Sequence, residues 1–420
     1  MTGPQWMTLF ALLVLYVLLL GDWFHRAWVA LGLAGALVVS GTISIQSAWS
    51  SIDWNTIFLL AGMMVLVASL GEAGLFSYLG DKARRWSRGQ PWRLLWIFYA
   101  VTAITSAILD NVTTVLLLSP ILIAAAEELE INPVPLLMVE VVASNLGGMT
   151  TLVGDPPNIL IGTAADLSFT EFLKIVGPAA LMMLALLAIV LPRFITLPTR
   201  ALRPLANTSV PVTVKPELKG LLVILVLTLS AFVFQEPLHI PVGYIALGGA
   251  GLAVLFRRKF LSGWHRHIDY GTLGFFVGVF ILVGALESAG FIHVMAGWLN
   301  DPRLGGWMPL LLFFGTAIFS AGFDNVPLVA ALVPVLGHIV SKDPRFGVEL
   351  WLAVAMGASV GGNATIIGAS ANVVVQGLAL EKGYRMSFSD YARFGFKVAG
   401  FTSLVAAAYL TLRFSGVGPR

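Results

Sequence analysis

Two aspartates, each followed by asparagine, interrupt stretches of this chain that are otherwise almost wholly apolar. Ile108-Leu109-Asp110-Asn111-Val112-Thr113-Thr114 and Gly322-Phe323-Asp324-Asn325-Val326-Pro327 carry them 214 residues apart, and a proline (Pro120, Pro334) stands ten residues past each Asp. Thirty-seven residues after each Asp a second motif begins: Gly147-Gly148, Gly154 and Asn158 in one copy, Gly361-Gly362, Gly368 and Asn372 in the other. A carboxylate deep in a bilayer costs at least ~2.5 kcal/mol on insertion scales, so its presence there is a functional hypothesis. Two of them at matching positions of an internal duplication point to a site between two repeats.

The bilayer follows from composition. The 420 residues are 58% hydrophobic and 11% charged, against roughly 25% charge in soluble domains. Spans are predicted at 6–20, 27–44, 54–72, 170–192, 218–234, 241–257, 270–289 and 390–412, with hairpins at 93–127 and 306–340 and broken helices at 133–165 and 347–381. The first lacks a basic leader and more spans follow, so it reads as retained. There is no cysteine, which removes disulfides, thiolate ligands and cysteine nucleophiles together. The proline-rich stretch 198–217 reads as a surface linker.

Each hairpin admits two readings. As two full spans it would place Asp-Asn in a surface turn. As a re-entrant pair it places the Asp-Asn tip at membrane depth, where irregular backbone is tolerated only if buried in protein or lining a wet cavity. Charge order favours re-entry. With both hairpins re-entrant, one side holds 19 of the 25 Lys and Arg, leaving Lys174, Arg303, Lys342, Arg345, Arg413 and Arg420 on the other. The rich side is then cytoplasmic in a cell inner membrane and both termini lie outside.

The duplication extends further: Asp53-Trp54-Asn55-Thr56 parallels Asp269-Tyr270-Gly271-Thr272, and Ala73-Gly74-Leu75 parallels Ala289-Gly290-Phe291, at offset 216. The expected fold is an all-α polytopic membrane protein of two inverted repeats, each with five transmembrane helices, one broken at midplane, and one re-entrant helical hairpin. The repeats are expected at 1–197 and 218–420, about a cytoplasmic linker at 198–217.

Neither broken helix can be continuous. Pro156 and Pro157 remove donors and clash with the preceding turn; the second copy breaks by glycine and polar competition. Unwinding frees carbonyls for cations and half-helix N-termini for anions. The expected substrate- and ion-binding residues are Asp110, Asn111, Thr113, Thr114, Gly147, Gly148, Thr151, Gly154, Asp155, Pro156, Pro157 and Asn158, with Asp324, Asn325, Gly361, Gly362, Asn363, Thr365, Gly368, Ser370 and Asn372. The double glycines serve equally as packing devices. Asp155, matched by Ala369, is either an asymmetric coupling group or a cap on the half-helix at Pro156. Glu140, matched by Val354, is either a buried proton carrier or a hydrogen-bonded bystander. Glu72 and Glu287 read as interfacial, and the six histidines show no metal-ligand spacing. Lys and Arg gather toward span ends, so a strongly anionic substrate is expected to lack a fixed counter-charge. Carboxylates in such a pocket favour protons, Na⁺ or a neutral solute.

Leu109-Asp110-Asn111-Val112-Thr113-Thr114-Val115, then Asn145-Leu146-Gly147-Gly148 and Gly154-Asp155-Pro156-Pro157-Asn158, resemble the ion transporter superfamily, most of all the branch joining ArsB arsenite pumps and the melanosomal P protein. The run from Gly361 to Asn372 is similar to the P-protein type. This resemblance implies a scaffold, a moving transport domain, elevator-type alternating access and a homodimer. The sodium-dicarboxylate branch has Ser-Asn-Thr at its tips, and Asp110 and Asp324 here place charge where a dicarboxylate would bind. A sodium-binding role carries over to Asn111, Asn325 and the break glycines. The expected function is proton-coupled efflux of arsenite or antimonite, not an enzyme activity. Asp110, Asp324 and Asp155 would carry coupling protons or cations. Asn111, Asn325, Asn158 and Asn372 would shape the substrate site. Expected partners are a small inorganic substrate, coupling H⁺ or Na⁺, the lipid bilayer, a second copy of the chain and a soluble ATPase subunit, with no nucleic acid, no cofactor and no metal beyond Na⁺ at the tips. A sodium–proton antiporter, an anion permease and a passive channel stay open as alternatives. An intramembrane aspartyl protease built on Asp110 and Asp324 lacks the Gly-x-Gly-Asp pattern, since Leu152 precedes Val153-Gly154-Asp155.

Overall fold

The computed structural model describes residues 3–21, 24–198, 215–257, 263–290, 307–342 and 347–414, and these are helical apart from short connections. The first half comprises α1 (Gly3–Gly21), α2 (Arg26–Val39), α3 (Ile45–Ser50), α4 (Trp54–Glu72), α5 (Leu75–Ser87), α6 (Pro91–Ile108), α7 (Asn111–Glu128), α8 (Val134–Gly148), α9 (Pro156–Ala164) and α10 (Phe169–Val190). The second comprises α11 (Leu218–Val233), the single turn α12 (Gln235–Leu238), α13 (Val242–Phe256), α14 (Tyr270–Ser288), α15 (Met308–Gly322), α16 (Asn325–Lys342), α17 (Gly347–Gly362), α18 (Ser370–Glu381) and α19 (Phe388–Phe414). Most of the expected linker, Arg303, Arg345, Phe291 and Arg420 lie outside the described residues.

Six helical segments among the described residues are long and apolar enough to cross a membrane: α4, α6, α7, Phe169–Arg193, α14 and Phe388–Arg413. Large apolar side chains on α1, α10 and α11, including Phe10, Ile189 and Val226, point away from the protein. That is the pattern of helices whose outer face meets hydrocarbon rather than water. The expected second span ran to residue 44, but α2 stops at Val39. Gly41 takes a positive φ of 73°, and Ser44 caps the short α3 by accepting from Ser47 N. The predicted loop at 73–92 contains α5, which carries its charge along one face and packs against the hairpin helices α6 and α7.

Helix directions establish the inversion. Gly243 N donates to Asn55 Oδ1 at 2.8 Å, so α4 and α13 begin together. Arg257, just past α13, pairs with Glu72 at the end of α4 at 3.1 Å, so they also end together and run parallel. His267, two residues ahead of Asp269 at the start of α14, pairs with the same Glu72 at 3.0 Å. Thus α14 starts where α4 finishes, although the two are repeat mates with equivalent caps. Asp53 accepts from Thr56 Oγ1 at 2.5 Å and Asp269 from Thr272 Oγ1 at 2.5 Å. The mates interlock: α4 packs along α13, and α2 along α14.

The hairpins are re-entrant. Thr151 Oγ1 donates to Ala107 O at 2.6 Å, and a Cβ on Gly147 would lie 2.4 Å from Ala103 O, so α6 runs parallel to α8. Asn111 meets Asn145, and Ser119 meets Glu140 five residues back, so α7 runs antiparallel to α8. Both arms therefore leave and return on one side, and their tip stops level with the break before α9, where Asn111 meets Asp155, while α9 runs on to Thr163 beside Asn55 at the start of α4. The second copy repeats this: Thr365 Oγ1 donates to Ala321 O at 2.5 Å, and Gly361 abuts Ala317. At the centre, α8 is buried from Leu136 to Gly148 and α17 from Glu349 to Gly362. Helices apolar on every face belong in such a core.

Candidate functional site

Each tip is two extended residues. Leu109 and Asp110 have φ,ψ of −113°, 161° and −64°, 154°, and Asp110 then caps α7 by accepting from Thr113 N at 2.8 Å. Asp324 accepts from Val326 N at 3.0 Å, and its second oxygen accepts a short hydrogen bond from Ser370 Oγ. Both aspartates thus act as N-cap acceptors at the positive ends of their helices.

The breaks are built alike. Asp155 (φ −146°, ψ 129°) and Ala369 (φ −149°, ψ 142°) precede α9 and α18. Asn158 Nδ2 donates to Gly148 O and Thr151 O at 3.2 and 2.9 Å; Asn372 Nδ2 donates to Gly362 O and Thr365 O at 2.8 and 2.8 Å. These amides satisfy the carbonyls freed by unwinding, as buried backbone requires. Thr151 and Thr365 cap Gly154 N and Gly368 N at 3.1 and 3.2 Å. The glycines permit contact between backbones: a Cβ on Gly148 would sit 2.5 Å from Gly154 O, and one on Gly368 2.7 Å from Ser320 O. The structure thus places Gly147, Gly148, Gly154, Gly361, Gly362 and Gly368 in helix packing, with Pro156 and Pro157 in the first turn of α9. Thr114 is fully buried, its hydroxyl without a hydrogen-bond partner among the described residues.

Asp155 is the point of convergence. It makes no side-chain cap of α9. Its Oδ1 instead accepts from Asn111 Nδ2 at 3.3 Å, and its Oδ2 from Asn325 Nδ2 and Ser359 Oγ, both at 3.4 Å. One carboxylate, 1% exposed, therefore joins both hairpin tips and α17. Beside it Asn145 accepts from Asn111 at 3.3 Å and donates to Asn363 and Asn372 at 3.0 Å each. The tip asparagines are 3% exposed, so this network lies in the protein's interior.

A cavity of about 530 Å³ reaches the network from the face carrying Glu72 and His267, and Asp110, Asn111, Asp155, Pro156, Asn325 and Ser370 line its inner end. A second cavity of about 530 Å³ opens near Asp53, Glu287 and His338, and no tip residue lines it. Of these two repeat-related cavities, the one on the Glu72 and His267 face is the one that reaches the tips.

Arg26 corrects the expectation that the pocket lacks a fixed positive charge. The first residue of α2, it lines the cavity that reaches the tips. It donates to Ser370 Oγ at 3.1 Å and Thr272 Oγ1 at 2.8 Å, with its guanidinium 5.7 Å from the Phe275 ring centre. In sequence it looks like a loop arginine at a span end, and only the crossing of α2 with α14 turns it inward. Ser359 and Asn145 were likewise not singled out as site residues. They occupy equivalent positions at offset 214, a relation the repeat itself offers.

Comparison with known proteins agrees with this architecture. The chain is 38% identical over 415 residues to an uncharacterized transporter of Mycobacterium tuberculosis, covering 95% of this chain and 96% of that protein. It is 35% identical over 417 residues to a 46 kDa membrane protein of Mycobacterium leprae, covering 96% and 97%. The human P protein is 29% identical over 498 residues, which take in 96% of this chain and 59% of the P protein. The crystal structure of the Alcanivorax borkumensis YdaH transporter, described as having an unusual topology, shares the fold with a TM-score of 0.63 at 15% identity, covering 100% of both chains. The citrate transporter family CitMHS matches residues 16–343 and 302–420. With nearly its whole length accounted for by that match and those relatives, this multi-pass membrane transporter belongs to the CitMHS citrate transporter family.

Proposed function

We propose that the protein is a cation-coupled secondary transporter in which Asp155 is the coupling group, and that its cargo is a small, oxygen-rich solute bound between the hairpin tips. The observation that carries this reading is the Asp155 carboxylate held between Asn111 and Asn325, one from each half. A buried carboxylate without a cationic partner is stabilised by binding a proton or a cation. Its amide partners can stay in place when it does. Asp110 and Asp324 add charge at the helix N-termini, and Asn158 and Asn372 hold the breaks in shape.

For the cargo, the resemblance of the tips to the arsenite-pump and P-protein branch favours arsenite or antimonite expelled against protons. A neutral trihydroxy acid pairs with Asn, Ser and Asp through hydroxyl hydrogen bonds and needs no thiolate. Arg26 favours a second reading, a carboxylate anion of the kind the family name indicates. Alternating access would move the two hairpins and broken helices as one body against α2, α4, α13 and α14, in a homodimer of the inner membrane. The units would be 1–197 and 218–420 joined by a cytoplasmic linker, both termini would lie outside, and a soluble ATPase subunit remains a candidate partner.

Everted membrane vesicles with an imposed proton gradient separate these readings. Arsenite accumulation that collapses with the gradient supports metalloid efflux. Citrate transport that Arg26→Ala abolishes supports the anion reading. Dissipation of the gradient by Na⁺, with neither solute moved, makes the protein a sodium–proton antiporter. Uphill transport unchanged in Asp155→Asn removes Asp155 from the coupling role.

A further inference from the structure

One buried carboxyl stands apart from this site. Glu140, midway along α8, is 1% exposed. Its Oε2 accepts from Ser119 Oγ on α7 at 2.8 Å, while Oε1 is buried with no hydrogen-bond partner. The charged or titratable groups on the helices packed against α8 are Arg93 and Tyr99 on α6, Glu127 and Glu128 on α7, and Glu171 and Lys174 on α10, with Glu349 on α17 and Glu381 on α18. None of them pairs with Glu140.

The second half of the molecule is an internal control. The polar residues that build the hairpins and breaks recur in both copies: Ser106 with Ser320, Thr151 with Thr365, Asn158 with Asn372. Ser106 and Ser320 each donate to a carbonyl of the adjacent helix at 2.7 Å. Glu140 and Ser119 instead correspond to Val354 and Val333. Val354 is fully buried on α17, which packs against α15 and α16 as α8 packs against α6 and α7. Val333 is half-buried and lines the second cavity, so the second half carries apolar side chains at both positions and builds the same helix packing without a carboxyl. Apolar replacements of a buried charged or polar cluster are often neutral or stabilising, so packing does not call for the Glu140–Ser119 pair.

Position gives the pair a role. Ser144 lies one turn from Glu140 on the same face of α8. Ser144 Oγ donates to Asn111 O at 3.1 Å, and the Asn111 amide reaches Asp155. Glu140 is five residues from Asn145 along α8, about 7.5 Å at 1.5 Å per residue, toward the base of the first hairpin. An anion with one neutral donor and one bare oxygen is poorly held there, whereas the same carboxyl with a proton bound is neutral. We propose that Glu140 is a second proton-carrying site of this transporter, communicating with Asp155 through Ser144 and Asn111. The inference rests on the proton-coupled reading of Asp155.

The test uses the full chain in proteoliposomes. Dicyclohexylcarbodiimide, an apolar reagent that couples to protonated carboxyls, is applied across a pH series and the labelled peptides are mapped by mass spectrometry. In parallel, protons moved per arsenite or per citrate are read from reversal potentials. The proteins are the wild type, Glu140→Gln, and the double variant Ser119→Val with Glu140→Val, which reproduces the pair of the other half. The expected result is Glu140 label that fades as pH rises, and variants that insert normally but move one proton fewer per solute. Label on Glu140 that ignores pH, or unchanged stoichiometry in both variants, overturns the proposal. So does failure of both variants to insert, which makes the pair structural. If neither solute is moved, the Glu140 label alone decides. The Asp155 reading fails by a different signal, retained coupling in Asp155→Asn.

Discussion

Asn145 on α8 donates its side-chain amide to Oδ1 of Asn363, 218 positions away, at 3.0 Å. Its second amide hydrogen goes to Asn372, and its own oxygen accepts from Asn111. The two broken helices are thus tied at the site, not merely packed beside it. A solute or ion that perturbs one half at this point perturbs both.

Replacing that residue tests the tie. Asn145→Leu removes the donor to two buried acceptors, each worth about 1–3 kcal/mol if left unsatisfied. The detergent-solubilised variant is expected to unfold at a clearly lower temperature than the wild type. An unchanged thermal midpoint would show that the network is incidental to stability.

The tip aspartates separate capping from charge. Asp110→Asn keeps a capping oxygen for Thr113 N, so the protein should insert and keep its stability. Asp110→Ala loses the cap, at about 1 kcal/mol. If Asp110 takes part in coupling, both variants lose uphill transport. If it is a cap alone, only the alanine variant is impaired, and then through stability. Asp324→Asn makes the same distinction in the second half.

Glycine positions discriminate packing from freedom. A Cβ on Gly361 would lie 2.2 Å from Ala317 O and one on Gly147 2.4 Å from Ala103 O, whereas one on Gly377 meets nothing within 4 Å. Overpacking of a tight core costs roughly 1–3 kcal/mol. Gly147→Ala and Gly361→Ala should lower the yield of folded protein in the membrane, and Gly377→Ala should leave it unchanged.

The absence of cysteine makes topology directly measurable. Gln90 at the base of the first hairpin and Thr163 near the end of α9 are both exposed. In intact cells an impermeant maleimide should label Thr163→Cys and should label Gln90→Cys only after permeabilisation. The opposite pattern inverts the orientation, and labelling of both from outside contradicts the odd number of crossings between the base of the first hairpin and the end of α9.

Much of this architecture was legible because a bilayer imposes coarse, strong constraints. Uncompensated backbone is excluded from hydrocarbon, so long apolar runs become helices, and proline with paired glycines marks where they break. The offset between Asp110 and Asp324 recurred in the structure as matched caps, matched break loops and matched helix contacts. Less legible were features that depend on the angle at which helices cross. Arg26 sits at a span end in either description, and its entry into the cavity follows from α2 lying along α14.

The sequence by itself determined the membrane setting and the two inverted repeats, and it marked the hairpins and the breaks, since each follows from local hydropathy, backbone chemistry and periodicity. Only the tertiary structure decided how those residues share the work of position. It turned Asp155 away from its own helix and onto Asn111 and Asn325. It gave the carbonyls of the breaks to Asn158 and Asn372, and left Glu140 with one free oxygen. The pairing of Asp155 with Asn325, 170 positions apart, is chosen by geometry at the meeting of two repeats, and the shorter-range pairs by how helices within one repeat cross; no local stretch of chain encodes either.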